Sequence, residues 1–171
     1  MKDILKEDWF DPISNNDKAF IIAFDNEMTK LGYDSGGKIG SGYVWGKYMI
    51  IYRKSRVKSK KVFARIYIRD ENVVLRLFFS KIDRHREYIE NSPPHIKMVF
   101  AGDYGNCQRC HNHKDGICKF TKAYTLEDRL IEKCNGTTFE FHNPSTSRIA
   151  DYMDLFTEFY PGKKRSSKQV L

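Results

Sequence analysis

All four cysteines of this 171-residue chain lie between Cys107 and Cys134, with the spacing C-x2-C-x7-C-x15-C. A C-x2-C pair can bind one metal ion from a single turn, and two further thiolates complete a tetrahedral site. The spacing predicts a structural zinc site whose ligands are Cys107, Cys110, Cys118 and Cys134. This prediction constrains the fold, because the metal would tie residues 104–136 into a zinc-knuckle-like module.

The cysteine spacing leaves other interpretations open. Common structural zinc sites contain two C-x2-C pairs, whereas Cys118 and Cys134 stand singly. If His111 or His113 replaced one sulfur, a reactive thiol would remain, as in a thiol-based redox sensor. The ligand set also suits an iron–sulfur cluster, and residues 107–111 match the C-x-x-C-H motif of haem attachment. We expect zinc, since the haem motif is short and two more cysteines lie close by.

The order of the segments predicts an α+β domain over residues 1–162, followed by a basic, disordered tail over residues 163–171. Apolar residues recur at helical spacing in 15–31, 81–92 and 145–160, and strand-like runs occupy 43–54, 61–69 and 72–80. We therefore expect an antiparallel β meander packed against helices, with the cysteine module and a closing helix at the C-terminal end. The predicted helix N-caps are Asn15 or Asn16, Ser80, and Ser145 or Ser147.

Two local features of the sequence concern chain reversals. Residues 70–72 are a short turn that predicts a hairpin between the second and third strands. Residues 122–134 are ambiguous: either a helix begins at Thr125, or two short strands turn at Glu127 and Asp128. We favour the two strands, because they would return Cys134 toward Cys118 for a shared metal.

Alternation along the second and third strands separates an apolar face from a mixed face. The mixed face carries Phe63, Arg65, Tyr67 and Arg69 on one strand and Val74, Arg76 and Phe78 on the next. Aromatic and arginine side chains together suit a small aromatic or anionic ligand. The predicted ligand-binding residues are Trp45, Arg65, Tyr67, Arg69 and Arg76. The alternative is that the aromatic rings pack under the helices while the arginines extend to solvent.

A second candidate surface is the basic loop, which contains Arg53, Lys54, Arg56, Lys58, Lys60 and Lys61. Together with a formal net charge of +8 and the basic tail at 163–168, this loop makes nucleic-acid binding the alternative to small-ligand binding, which is the function we expect first. The alternative is a solvated loop whose charges prevent sheet edges from pairing. The glycine-rich segment at 34–42 lacks the G-x-x-x-x-G-K-[ST] pattern, so it indicates a flexible turn and not a phosphate-binding loop.

The sequence shows no catalytic signature. It has no nucleophile elbow, no H-E-x-x-H and no dinucleotide fingerprint, so we expect a binding protein and not an enzyme. It also has no run of about 18 apolar residues and no apolar core near its start, so we expect a cytoplasmic protein with no membrane partner. Thiols stay reduced in the cytosol, which favours metal binding over disulfides.

The pattern C-x2-C…C-K-F…Y-T…E-K-C-x-G…F-x-F-x-N-P, followed by a helix with Tyr152 and Leu155, resembles a family of small uncharacterised bacterial proteins. This family is a domain of unknown function from Clostridium-type and related bacteria. The resemblance covers residues 104–160 and rests on Cys107, Cys110, Cys118, Cys134, Phe139, Phe141 and Pro144. It implies a compact α+β domain with a cysteine-cluster extension, a shared structural role for the cysteines, and no established activity.

Overall fold

The computed structural model describes residues 1–70, 72–102, 121–133 and 137–162, apart from the side chain of Trp9. Its α-helices are α1 (Asn15–Lys30), α2 (Arg86–Glu90), α3 (Pro94–Ala101) and α4 (Ile149–Phe159). Its strands are β1 (Tyr33–Asp34), β2 (Gly40–Ser41), β3 (Tyr48–Lys54), β4 (Ala64–Ile68), β5 (Val73–Phe78), β6 (Lys122–Leu126), β7 (Arg129–Lys133) and β8 (Thr138–His142). The predicted α+β class is confirmed. Over these ranges, the helices are too short or too polar to cross a membrane.

Six strands form one antiparallel sheet in the order β1-β3-β4-β5-β8, with β2 also paired to β3. The predicted meander corresponds to β3, β4 and β5, and the predicted hairpin joins Ile68 to its partner Val73. Strand β8 follows the cysteine-containing segment in the sequence. It pairs with β5 and extends the sheet. Strands β6 and β7 form a separate hairpin that turns at Glu127 and Asp128, as the favoured interpretation predicted.

The hydrophobic core lies on one face of this sheet, under three of the helices. From α1, the Phe24 ring meets Tyr52 of β3 at 5.3 Å between ring centroids. From α4, Tyr152 meets Phe141 of β8 at 5.2 Å. From α3, Phe100 stacks on Phe139 at 4.2 Å. Each ring buries a large apolar area, so these contacts determine which face of the sheet the helices cover.

The predicted alternation is wrong at one residue, Phe63, which belongs to the core and not to the mixed face. Ala64 is the ladder partner of Tyr52, and the Phe63 N–H also donates to the Tyr52 carbonyl at 3.1 Å. Two consecutive residues therefore oppose one, as in a β-bulge, and the bulge changes the side to which Phe63 points. The Phe63 ring packs on Tyr33 and Tyr160 at 4.9 and 4.8 Å.

The helix N-caps differ from the predicted residues. The cap of α1 is Ser14, whose hydroxyl accepts the Asp17 N–H at 3.1 Å, so the chain enters the helix one residue before Asn15. Ser80 caps nothing, because Lys81 adopts a left-handed conformation (φ 60°) before a 3-10 turn at Ile82–His85. The Asp83 carboxylate instead accepts the Thr125 N–H of β6 at 2.9 Å.

The N-terminal end of α4 also departs from the prediction. A 3-10 turn at Thr146–Arg148 precedes the helix, and Ser145 makes no side-chain capping bond to it. The Ser145 and Ser147 hydroxyls lie 2.8 Å apart and bond to each other. Neither serine is therefore the predicted side-chain cap.

We expect Phe24→Ala to lower the free energy of unfolding by about 3–5 kcal/mol, since the ring is fully buried between α1 and β3. The measurement is chemical denaturation followed by circular dichroism. The control is Leu130→Ala on the exposed side of β7, which should change stability by no more than about 0.5 kcal/mol. Equal effects of the two substitutions would contradict the described core.

Candidate functional site

The face of the sheet opposite the helices is centred on Arg76 of β5, whose side chain is almost completely buried. Its guanidinium carbon lies 4.4 Å from the centre of the Trp45 ring and 4.9 Å from that of Tyr67. A guanidinium between two aromatic rings is held by cation–π attraction. Arg76 is only 4 % exposed, so it needs a carboxylate partner as well.

That partner is Glu140, the residue opposite Arg76 in the ladder between β5 and β8. The Arg76 Nε donates to Glu140 Oε1 at 2.7 Å, and an Nη nitrogen contacts the same oxygen. The other carboxylate oxygen lies 3.7 Å from His142 Nε2. The charge of Arg76 is therefore compensated within the fold, with the Glu140 side chain 23 % exposed at the surface.

Trp45 reaches this face from a turn and not from a strand, although the predicted strand began at residue 43. Tyr43–Trp45 form a 3-10 turn between Gly42 and Gly46, and β3 begins only at Tyr48. A Cβ atom on Gly42 would lie 2.1 Å from the Gly46 carbonyl oxygen, so this close turn requires glycine. The Arg69 Nε donates to the Trp45 carbonyl at 3.0 Å and ties the turn to the end of β4.

The structure thus brings together all five residues predicted to bind a ligand. In addition to the contacts above, Arg65 Nη1 donates to the Tyr67 hydroxyl at 3.2 Å, and its guanidinium lies 5.3 Å from the Phe78 ring. The alternative in which the aromatic rings pack under the helices while the arginines extend to solvent does not describe this cluster. Tyr67 is buried away from the helix-covered core, and Arg76 does not extend to solvent. The ligand-binding role of these residues stays a prediction.

The basic loop begins at the opposite end of β3. Because β1 runs antiparallel to β3, with Tyr33 opposite Lys54 and Asp34 opposite Arg53, the start of the glycine-rich segment lies beside the basic loop. The two segments line an open groove of about 480 Å³. Its lining comprises Asp34, Ser35, Gly36, Lys38, Arg53, Lys54, Ser55, Arg56, Val57, Lys58 and Ser59.

The six predicted basic residues of this loop are all exposed. Within the described ranges, no carboxylate lies at ion-pair distance from any of them. Asp34 is the acidic residue of the groove lining, and its carboxylate accepts the Gly36 N–H at 3.0 Å. Lys61 has a second role, since its ammonium lies 4.7 Å from the Phe63 ring and 5.2 Å from the Tyr160 ring. The groove therefore presents uncompensated positive charge to solvent.

Lys38 is a member of the groove that sequence reasoning missed. It lies 15 residues before Arg53, and the two segments come together because β1 and β2, which flank Lys38 in the chain, both pair with β3. A strand of only two residues is too short to show alternation of apolar and polar residues, so the sequence does not predict this contact.

The predicted zinc ligands Cys107, Cys110, Cys118 and Cys134 lie outside the described residues, as does the tail at 163–171. Among the residues that are described, no three His, Cys, Asp or Glu side chains cluster in a way that could hold a metal ion. The hairpin bears indirectly on the prediction. Lys122 and Lys133 are partners at its open end, so the segments that carry Cys118 and Cys134 join the hairpin at the same end.

No family model, no curated protein and no solved structure matches this chain. The resemblance to the uncharacterised bacterial proteins therefore stays a prediction.

We expect Glu140→Ala to lower the free energy of unfolding by about 2 kcal/mol, because Arg76 would remain buried without its carboxylate. The loss should be smaller than the 3–5 kcal/mol of a fully buried pair, since Glu140 is partly solvated. The matched control is Glu132→Ala on β7, an exposed strand glutamate without an ion pair among the described residues. If both variants unfold at the same denaturant concentration as the parent, the pair with Arg76 does not stabilise the fold.

Proposed function

We propose that this protein binds nucleic acid through the basic groove, which is lined by residues 34–36, Lys38 and residues 53–59, and through the two lysines that follow it, Lys60 and Lys61. The observation that supports this proposal most directly is that, among the residues the structure describes, no carboxylate compensates its exposed lysines and arginines. Within a fold, cations gain stability from acidic partners, as Arg76 does from Glu140. Uncompensated cations gathered along a groove are instead available to phosphates.

A polyanion suits this groove better than a single small anion. The positive side chains are spread along an open loop and do not converge on an enclosed point. Contacts of this kind neutralise successive phosphates and release counterions, which favours binding with little dependence on base sequence. By comparison, the arginines of the predicted small-ligand cluster already have internal partners, such as Trp45 and Glu140. The nucleic-acid hypothesis is therefore the better supported of the two.

This proposal requires no chemical step. The protein would act in the cytoplasm as a binding protein, and the sheet and helices would serve to hold the two groove segments side by side. That arrangement depends on the ladder between β1 and β3 and on the Ser55 N–H, which donates to the Gly32 carbonyl at 2.8 Å.

Replacing the three lysines of the groove lining, Lys38, Lys54 and Lys58, together by Gln should weaken nucleic-acid binding and make it less salt-dependent. The slope of log K against log salt should fall in magnitude by about two to three, roughly one for each phosphate contact removed. The measurement is fluorescence anisotropy of a labelled oligonucleotide over about 50–200 mM salt.

The control replaces Lys2, Lys6 and Lys122 by Gln, which removes the same charge from exposed positions away from the groove. The control should keep the parent slope. If the two triple variants behave alike, binding follows net charge and the groove has no special role. If the parent binds no nucleic acid even in low salt, the proposal is wrong.

We also propose that Cys107, Cys110, Cys118 and Cys134 hold one structural zinc ion. The chemistry of the donor set supports this, since thiolates bind zinc tightly and a closed site of four needs no further ligand. The hairpin of β6 and β7 supports it too, because it connects to both single cysteines at one end.

Protein purified without chelator should contain about one zinc ion per chain, and a strong chelator should lower its melting temperature. The measurements are elemental analysis and thermal unfolding, with zinc added back as the control for chelator effects. A visible absorption band from haem or an iron–sulfur cluster would contradict the proposal. So would protein that is stable and free of metal.

A further inference from the structure

The turn at Gly42–Gly46 presents an unusual run of exposed apolar side chains. Tyr43 is 80 %, Val44 60 % and Trp45 39 % exposed. The other large hydrophobic residues of comparable exposure in the described chain are single and scattered, such as Val57 and Met98. Three consecutive exposed apolar side chains, two of them aromatic, indicate a contact surface more strongly than isolated ones do.

This turn is held in a single geometry. Tyr43 adopts a left-handed conformation with φ 51°, which is uncommon for a bulky residue and costs about 1–3 kcal/mol. Three hydrogen bonds stabilise it: Gly42 N–H to the Lys47 carbonyl at 3.1 Å, Lys47 N–H to the Ile68 carbonyl at 2.8 Å, and Arg69 Nε to the Trp45 carbonyl. The hydrogen bonds offset this strain, and the Tyr43 side chain is exposed to solvent. Strain of this kind concentrates at functional sites.

The surroundings of the turn are cationic. Lys47 and Arg69 line a shallow depression beside it, together with Tyr43, Val44, Trp45, Gly46 and Asp70. The Trp45 ring also lies against the Arg76 guanidinium, which helps to fix its orientation. Aromatic rings among cations suit a ligand that carries both planar bases and phosphates.

Strand β3 connects this turn to the basic groove. Along β3, the side chains of Met49, Ile51 and Arg53 alternate with the buried core residues Ile50 and Tyr52. Met49 and Ile51 are partly exposed, and Arg53 is the first cation of the basic loop.

From Lys47 to Lys54 the chain spans about 23 Å at the usual rise of a strand. At about 3.4 Å per nucleotide in a stacked strand, this length corresponds to about seven nucleotides.

We propose that the nucleic acid bound by this protein is single-stranded, and that its bases stack on Tyr43 and Trp45 while its phosphates follow β3 to the basic groove. Bases in a duplex are stacked on one another and cannot reach a protruding aromatic ring, whereas unpaired bases can. This inference rests on the proposed function, because it names the class of nucleic acid that the groove would bind.

The test compares an oligonucleotide of about 12 nucleotides with the duplex of the same sequence, by anisotropy, for the full chain and for Tyr43→Asn. Asparagine tolerates the left-handed conformation, so this variant removes the ring without adding backbone strain. We expect the parent to prefer the single strand, and Tyr43→Asn to weaken single-strand binding by about 5- to 100-fold. Tyr43→Phe should retain the affinity, and Met98→Ala, which removes an exposed apolar side chain elsewhere, should not change it.

Two other results would overturn this inference and leave the proposed function in place, and a third would overturn both. Equal binding of single strand and duplex, with Tyr43→Asn unchanged but the triple lysine variant impaired, would overturn the stacking role and leave the basic groove in place. A single-strand preference that Tyr43→Asn does not reduce would likewise overturn the role of the turn. Absence of binding to both oligonucleotides would overturn the inference together with the proposed function.

Discussion

The structure depends on the burial of aromatic rings on one face of the sheet. Phe24, Tyr152 and Phe100 come from three different helices and meet rings of β3 and β8. Because each ring removes a large apolar area from water, these contacts supply much of the driving force that holds the helices to the sheet. They also place α1, α3 and α4 on that face, so the opposite face is left to arginine and aromatic side chains.

On that opposite face, Arg76 links parts of the chain that are distant in sequence. It pairs with Glu140 of β8 and lies against Trp45, which belongs to the turn before β3. A buried arginine is stable only when its charge and its hydrogen-bond donors are compensated, and here a carboxylate and two rings provide this. The same contacts orient the turn that carries Tyr43. A residue that stabilises the sheet therefore also positions an exposed surface.

Several of these features could be predicted from local sequence patterns. The helical spacing of apolar residues predicted a buried stripe of Phe20, Ile21, Phe24, Met28 and Leu31. The first four are buried on α1, whereas Leu31 follows the last residue of the helix and is exposed. Alternation placed Arg65 and Arg76 on one face of the meander. Alternation failed at Phe63, because a bulge shifts the register by one residue without altering the pattern of residue types. Helix α3 was not predicted. Pro93 and Pro94 indicate the end of the preceding helix, but Pro94 is also the first residue of α3, a position that proline favours.

The sequence alone determined the α+β class, the meander and the two sets of candidate residues, since periodicity and composition act over a few neighbouring positions. Tertiary structure decided which other residues contact the members of those sets. Pairing of β1 and β2 with β3 brought Lys38 beside the basic loop, and the ladder between β5 and β8 gave Arg76 the carboxylate of Glu140. Both contacts join residues that are far apart along the chain. Their geometry follows from strand pairing and core packing, which no local pattern encodes.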